Sequence, residues 1–422
     1  MTDLSGDYKR NVTLLCICQA FIMASSMTLI TYAVLVGQML APDPKWATVP
    51  MATGIVGAAL MAFPASYFMK YFGRKRGFQF GALCATISGA VAIYALWIQS
   101  FPLFCFATLL HGVYQAFAAY YRFAAMEVSP PDFQKQGISL VLAGGMIAAL
   151  VTPTITGFYN DAFGPFTFAG PYALVTTLSI LAHLPIGLLK ISHRSPAKEP
   201  EEKADSEEKA DSKVNIGEII RRPAFICAVL NASGSYFLMS FIMAASPIAV
   251  VFCGFENADA ATVIQVHVLF MFFPAFFTGS LIARFGNIPI ILIGMLLFAM
   301  AAAIAIYDVQ LTNFYLSLGL LGVAWNFMFT SSTSLLAEAY SEKEKAFTQG
   351  INDFLVYGMT ATASLTSGYI FATLGWTKMN MMSYSILAVL FVITLWYVRR
   401  TRQQNEERAL EVPVTEGEHY GE

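Results

Sequence analysis

From Ala47 to Met69 the chain carries no Asp, Glu, Lys or Arg, and it carries none again from Gly77 to Tyr121. Between these walls sits a basic knot, YFMKYFGRKRGF (67–78), holding Lys70, Arg74, Lys75 and Arg76. Apolar stretches of about 20 residues, the length that crosses ~30 Å of hydrocarbon as a helix, recur along the whole sequence. We place twelve, at 11–40, 47–71, 77–99, 102–127, 137–159, 168–191, 223–253, 260–284, 288–308, 313–338, 347–374 and 378–399. In lipid each span must satisfy its own backbone donors and acceptors, so the expected fold class is an all-α polytopic membrane protein. With 57% hydrophobic and only 12% charged residues, a soluble globular domain is excluded.

The basic residues set an orientation. Placing the N-terminus inside puts every Lys and Arg except Lys45 and Lys378 on the cytosolic side, 23 of 25 (25 − 2). So one-sided a bias predicts both termini in the cytosol of a cell whose inner membrane the chain crosses. The first span is too long for a signal-peptide core and is expected to be retained. A net charge of −2 argues against nucleic acid as a partner. All six cysteines (Cys16, Cys18, Cys84, Cys105, Cys227 and Cys253) fall in or beside spans. Cys16 and Cys18 point to different helix faces, so no metal site and no cofactor are expected.

The one long hydrophilic interior stretch, 192–222, contains the tandem hexapeptide EEKADSEEKADS (201–212) and reads as a solvated cytosolic linker. NIGEIIRRP (215–223) reads as a short amphipathic segment on the membrane surface. The linker divides a six-helix unit at 1–191 from a second at 223–399, with a cytosolic tail at 400–422. The units repeat each other. YFGRK (71–75) corresponds to RFGNI (284–288), with Gly73 and Gly286 213 positions apart, and KQGIS (135–139) corresponds to TQGIN (348–352) at the same separation. HGVYQ (111–115) and LGVAW (321–325) match more loosely, and Glu127 and Glu338 each close a fourth helix. Three matches in order, two at one spacing, indicate a duplicated bundle. Such pairs can expose a midplane site to either side by rocking one half against the other.

Polar side chains form stripes at helical spacing. Span 1 offers Ser25, Thr28 and Tyr32, with Gln19 on the face of Ser26. Span 4 has His111, Gln115 and Arg122 at 0, 4 and 11; span 7 has Asn231 and Ser235 with Tyr236 adjacent. Span 10 has Asn326, Thr330 and Thr333 beside Trp325; span 11 has Asp353, Tyr357, Thr360 and Ser364 at 0, 4, 7 and 11. Polar groups are costly in lipid, so these faces look toward a partner helix or toward water. Trp325, Tyr114, Tyr121 and Tyr236 are candidates to stack on a planar solute. No Asp or Glu lies mid-span, which leaves His111, His183 and His267 as candidate proton-coupling groups, beside the alternative of uncoupled diffusion.

The knot loop and its repeat resemble the signature of the major facilitator superfamily, whose loop between helices 2 and 3 reads Gly-x-x-x-Asp-Arg-x-Gly-Arg-Lys. SYFMKYFGRK (66–75) keeps Gly73, Arg74 and Lys75 but has Lys70 at the acidic position; GSLIARFGNI (279–288) keeps Gly279, Arg284 and Gly286. The resemblance implies a gating role for Gly73, Arg74, Lys75, Arg284 and Gly286. Because Lys70 reverses the family's charge, the latch is expected to draw its carboxylate from elsewhere, with a Lys70–Asp353 pair as the candidate. GGMIAALVTPTITG (144–157) resembles the Gly-Pro kink motif of many antiporters in the family, with Pro153 expected to bend span 5.

GVYQAFAAYYRFAAMEVSPP (112–131), FFTGSLIARFG (276–286) and GINDFLVYG (350–358) resemble a bacterial branch that includes riboflavin carriers. The resemblance implies two pseudo-symmetric bundles and a solute site on helices 1, 4, 7 and 10, with help from 5, 8 and 11. The expected substrate-binding set is Gln19, Tyr32, His111, Tyr114, Gln115, Arg122, Asn231, Tyr236, Trp325, Asn326 and Tyr357. The expected activity is alternating-access transport of a small organic solute by a monomer in the bilayer, with a proton as candidate co-transported ion. The alternatives are an efflux antiporter of the same fold and a non-transporting scaffold or receptor. No nucleophile elbow, phosphate loop or paired metal spacing supports an enzyme.

Overall fold

The computed structural model describes residues 4–130, 133–159, 167–191, 216–341 and 344–411. The hexapeptide repeat at 201–212 lies outside the described residues. In the described residues the twelve expected spans are helices. They are α1 (Leu4–Leu40), α2 (Val49–Phe72), α3 (Arg74–Trp97), α4 (Phe101–Val128), α5 (Gln134–Tyr159) and α6 (Ala169–Leu188). After a short helix at Ile216–Arg221 come α7 (Pro223–Phe252), α8 (Asn257–Phe285), α9 (Asn287–Tyr307) and α10 (Leu311–Glu338). The run Lys345–Glu411 is two helices, α11 (345–374) and α12 (376–411), parted at Gly375, where φ is 78°. Its apolar part, 57 residues, is well over twice what one span needs. Helix α12 runs on through residues 400–411, where a tail was expected.

The repeat seen in the sequence is present in the backbone. Gly73 has φ 87° and ψ 156°; Gly286 has φ 84° and ψ 169°. Each ends one helix and starts the next within a single residue, a conformation that a Cβ would oppose. Helix α2 bends by 48° between Ala62 and Pro64, and α8 breaks between Phe272 and Ala275 around Pro274. In each case proline withdraws a backbone donor. The helices also meet in matching ways. A Cβ on Gly112 of α4 would lie 2.0 Å from the Gly54 carbonyl of α2, and one on Gly322 of α10 would lie 2.6 Å from the His267 carbonyl of α8. Small residues let these backbones approach closely, which is how helices gain contact energy in lipid.

Two buried clusters lie within residues 12–189, around Phe78, Phe117 and Tyr121 and around Phe104 and Tyr172. A larger one lies within 219–390, around Phe298, Leu318 and Met328. A fourth joins both sets of helices: Met27, Val34 and Met51 against Met243, Ile248, Ile264 and Val268. The short helix Ile216–Arg221 is pinned to the loop before α11. Arg222 donates to both Glu344 oxygens at 2.8 and 2.9 Å and to the Ala339 carbonyl at 2.9 Å. The Arg222 guanidinium, helped by the Ser341 amide, holds the Glu344 carboxyl down at about 2.

Candidate solute site

Trp325 and Phe329, one turn apart on α10, stack with centroids 5.3 Å apart and planes 10° from parallel. Tyr236 of α7 stands edge-on to both, at 5.1 and 4.8 Å. Tyr236 and Phe329 are half-buried, and the buried indole N–H of Trp325 has no protein acceptor. From α11, Asp353 and Tyr357 lie within electrostatic reach of Tyr236. From α4, Arg122 lies within reach of both Asp353 and Tyr357, and Tyr120 within reach of Tyr357. Four helices thus converge on an aromatic group flanked by one cation and one carboxylate.

Neighbouring polar groups are more fully engaged. Gln115 of α4 donates to Ser26 of α1 at 3.0 Å, and Gln19 packs where Gly145 leaves room on α5. Asn326 turns toward α8, donating to the Met271 carbonyl at 2.9 Å and accepting from Thr278 at 2.7 Å. Its role there is to tie α10 to the broken middle of α8.

Four residues of the expected substrate-binding set, and the proton-coupling candidate His267, lie in helix packing in this structure. Tyr32 is 1% exposed and meets Phe168 at 5.8 Å. His111 is fully buried, edge-on to Tyr114, and Tyr114 itself is 1% exposed within an N-terminal cluster. Asn231 donates to the Cys227 carbonyl at 2.9 Å and to Thr394 at 3.0 Å, joining α7 to α12. His267 donates from Nδ1 to the Leu318 carbonyl at 2.8 Å, joining α8 to α10. A hydroxyl, imidazole or amide on a transmembrane helix gains as much from a neighbouring helix as from a solute, and helical spacing alone does not say which faces it.

The two ends of the bundle differ. At the Lys45 end the halves are joined: the Gly368 N–H donates to Thr48 Oγ1 at 3.1 Å, and Lys45 lies 5.7 Å over the Tyr369 ring. Phe252 meets Phe371 there at 6.1 Å, beside a 600 Å³ cavity bordered by Gln38, Ile248 and Trp376. At the other, basic end, the described ion pairs run within each half. Arg74 forms a two-pronged pair with Glu127, one prong 2.9 Å from Nε, and stacks 5.5 Å over Tyr120. Asn287, 213 positions on, donates to Glu338 at 2.8 Å. Lys75 caps α6 through the carbonyls of Gly187 and Leu189, at 2.5 and 3.3 Å. Arg284 lies 5.2 Å over Phe285.

The carboxylate that serves the knot is therefore Glu127. The expected Lys70–Asp353 pair is not formed: Lys70 is exposed with no ion pair among the described residues, and the charge facing Asp353 is Arg122. Arg122 is itself exposed, its guanidinium 4.8 Å over Phe123.

Comparison with known proteins agrees with this architecture. The family model for the Major Facilitator Superfamily matches residues 15–304 and 234–416. The riboflavin transporter RfnT of Brucella anthropi is 36% identical over 392 residues, covering 93% of this chain and 96% of that protein. YddS of Bacillus subtilis, an uncharacterized MFS-type transporter, is 26% identical over 94% of this chain and 93% of its own. Among solved structures, a D-xylose–proton symporter aligns with a TM-score of 0.74 at 14% identity, over 92% of this chain and 97% of that one. Two pseudo-symmetric helical bundles, a family model matched along nearly the whole length and a 36% identical relative together show that the chain belongs to the Major Facilitator Superfamily, as a multi-pass membrane transporter.

Proposed function

We propose that the protein carries riboflavin, or a closely similar planar heteroaromatic, across the cell membrane by alternating access. The observation that carries this reading is the Tyr236–Trp325–Phe329 group, set against Tyr357, Asp353 and Arg122, in a chain 36% identical to a riboflavin transporter. A flavin ring is flat, apolar on its faces and rich in carbonyl and N–H groups along one edge. Aromatic side chains gain ~0.5–1.5 kcal/mol per well-placed ring pair beyond simple burial. Arg122 offers a fork of donors to carbonyls, Asp353 accepts from N–H or hydroxyl groups, and the free indole N–H of Trp325 is a further donor.

The seal at the Lys45 end gives the cycle a direction of access. With the halves joined there, the aromatic group communicates with the basic end, which we assign to the cytosol on the charge bias. Delivery to the other side requires the Thr48–Gly368 contact to part and the basic end to close. The test is counterflow: purified protein in liposomes preloaded with unlabelled riboflavin, with labelled riboflavin added outside. Exchange needs no knowledge of a driving ion. Saturable accumulation of label, abolished by excess riboflavin outside, is the expected result. Folded protein that catalyses no exchange would overturn the flavin reading.

A further inference from the structure

The buried cluster that joins the halves is made of equivalent residues. It contains Val34 of α1 with Ala244 of α7, 210 positions apart, and Met51 of α2 with Ile264 of α8, 213 apart. Equivalent residues meeting in one cluster place the axis between the repeats there, along the membrane normal. Eight residues before Val34, toward the basic end, stands Ser26, and eight before Ala244 stands Tyr236. Each is ~12 Å along its helix from the junction. Gln115 of α4 donates to Ser26 at 3.0 Å, and Trp325 of α10 meets Tyr236 at 5.1 Å between ring centroids. The two pairs are repeats of each other, since Ser26 and Tyr236, like Gln115 and Trp325, are 210 positions apart. Gln115 and Trp325 also lie three residues beyond Gly112 and Gly322, where α4 crosses α2 and α10 crosses α8. One turn on, exposed Ala119 stands where α10 carries Phe329. The site thus has two unlike walls at one depth, aromatic on α7 and α10, small and polar on α1 and α4.

From this symmetry we infer that Gln115 is a specificity-determining residue, which reads the imide edge of a flat ring whose face rests on Trp325. The inference rests on the flavin reading above. Gln115 is partly exposed, and one of its N–H groups is committed to Ser26, which fixes the plane of the amide. Its Oε1 and second N–H remain to serve a solute. An amide presents one acceptor beside one donor. The pyrimidine edge of a flavin presents N3–H beside a carbonyl, so the two match through a pair of parallel hydrogen bonds. The aromatic wall accepts any flat ring, because stacking makes no demand on the ring's edge. The amide supplies that demand. A site built to bond an N–H rejects an analogue that lacks it, because the amide oxygen is then left unpaired.

The probes are riboflavin and 3-methylriboflavin, in which a methyl group replaces the N3 proton. Equilibrium dialysis against the purified full chain in detergent gives both dissociation constants without requiring exchange. Wild type is expected to bind riboflavin at least about tenfold more tightly than the 3-methyl derivative. Gln115→Met and Gln115→Leu are expected to weaken riboflavin by about tenfold and to change the affinity for 3-methylriboflavin by less than about twofold, so that the preference closes. A Gln115 that served only to hold α4 against α1 would lower both affinities by one factor and leave their ratio unchanged. Melting temperature identifies the variants that fold, and the wild-type comparison depends on none of them. Equal affinity of wild type for the two compounds, or a preference that persists in a folded variant, overturns the inference and leaves the flavin reading standing. Wild type that binds neither compound overturns the flavin reading and this inference with it.

Discussion

Trp325 and Tyr114 show how one kind of side chain serves opposite ends. Both are aromatic, on pseudo-equivalent helices, and both are buried, at 7% and 1% exposure. Trp325 lies beside half-buried Tyr236 and Phe329, whereas Tyr114 is enclosed by the core of α1, α3 and α4. Trp325→Ala and Tyr236→Ala are therefore expected to weaken riboflavin half-saturation in counterflow by about three- to tenfold, in line with the loss of one ring contact each. Tyr114→Ala is expected to act through folding, since emptying a buried aromatic site costs ~3–5 kcal/mol. Its signature is a lower melting temperature in detergent with half-saturation unchanged in the protein that remains folded. Equal kinetic defects in all three would show that Tyr114 reaches the solute. The sequence placed Tyr114, His111 and Gln115 on helix α4 correctly, because periodicity is local. Which neighbour covers each face is a tertiary fact, and Asn231 against Thr394, 163 residues away, has no local signature.

At the scale of elements, the two glycine turns were legible, whereas the bends inside spans 2 and 8 were read as continuous helix. Gly73 and Gly286 announced the one-residue turns, and Pro64 and Pro274 mark the bends of α2 and α8. The break of α4 at Ala119–Tyr120 has no proline or glycine to signal it, and Phe168 adopts φ 69° just before α6 because its ring is buried against Tyr32. The seal between the halves is also an element-scale feature, made by the 3-10 turn Pro44–Trp46 and the end of α11. A Cβ on Gly368 would lie 2.7 Å from Thr48 Oγ1 and 3.2 Å from the Lys45 carbonyl, so the contact has no room for a side chain. Gly368→Val is expected to hold the Lys45 end apart and shift the population toward states open there. A single cysteine at Ala372, read by a membrane-impermeant maleimide, should label at least about threefold faster in the Gly368→Val background, a shift of under 1 kcal/mol. Unchanged labelling would mean that this contact does not govern closure.

At the scale of the whole molecule, duplication and charge asymmetry fix what no single helix can. The matched geometry of Gly73 and Gly286, and of the Arg74–Glu127 and Asn287–Glu338 pairs, makes the halves copies that each carry a polar pair at the basic end. Six helices per copy return the chain to the side on which it started, so residue 4 and the end of α12 belong to one end. The charge pattern of the sequence assigns 23 of the 25 Lys and Arg residues to that end. Retaining so many cations on the side of synthesis is the strongest orienting influence known for short loops. A reporter inserted within 201–212, or fused after Glu422, is therefore expected to read cytosolic, and one inserted at Asp43–Lys45 to read external. The expectation can be pressed further. Because the Lys45 loop holds one of the two exceptions, adding basic residues there should lower the inserted fraction before it alters transport by the molecules that do insert. A reporter at 201–212 that reads external would invert the assignment of the basic end, and with it the side from which Arg122, Asp353 and the aromatic group are reached in this structure.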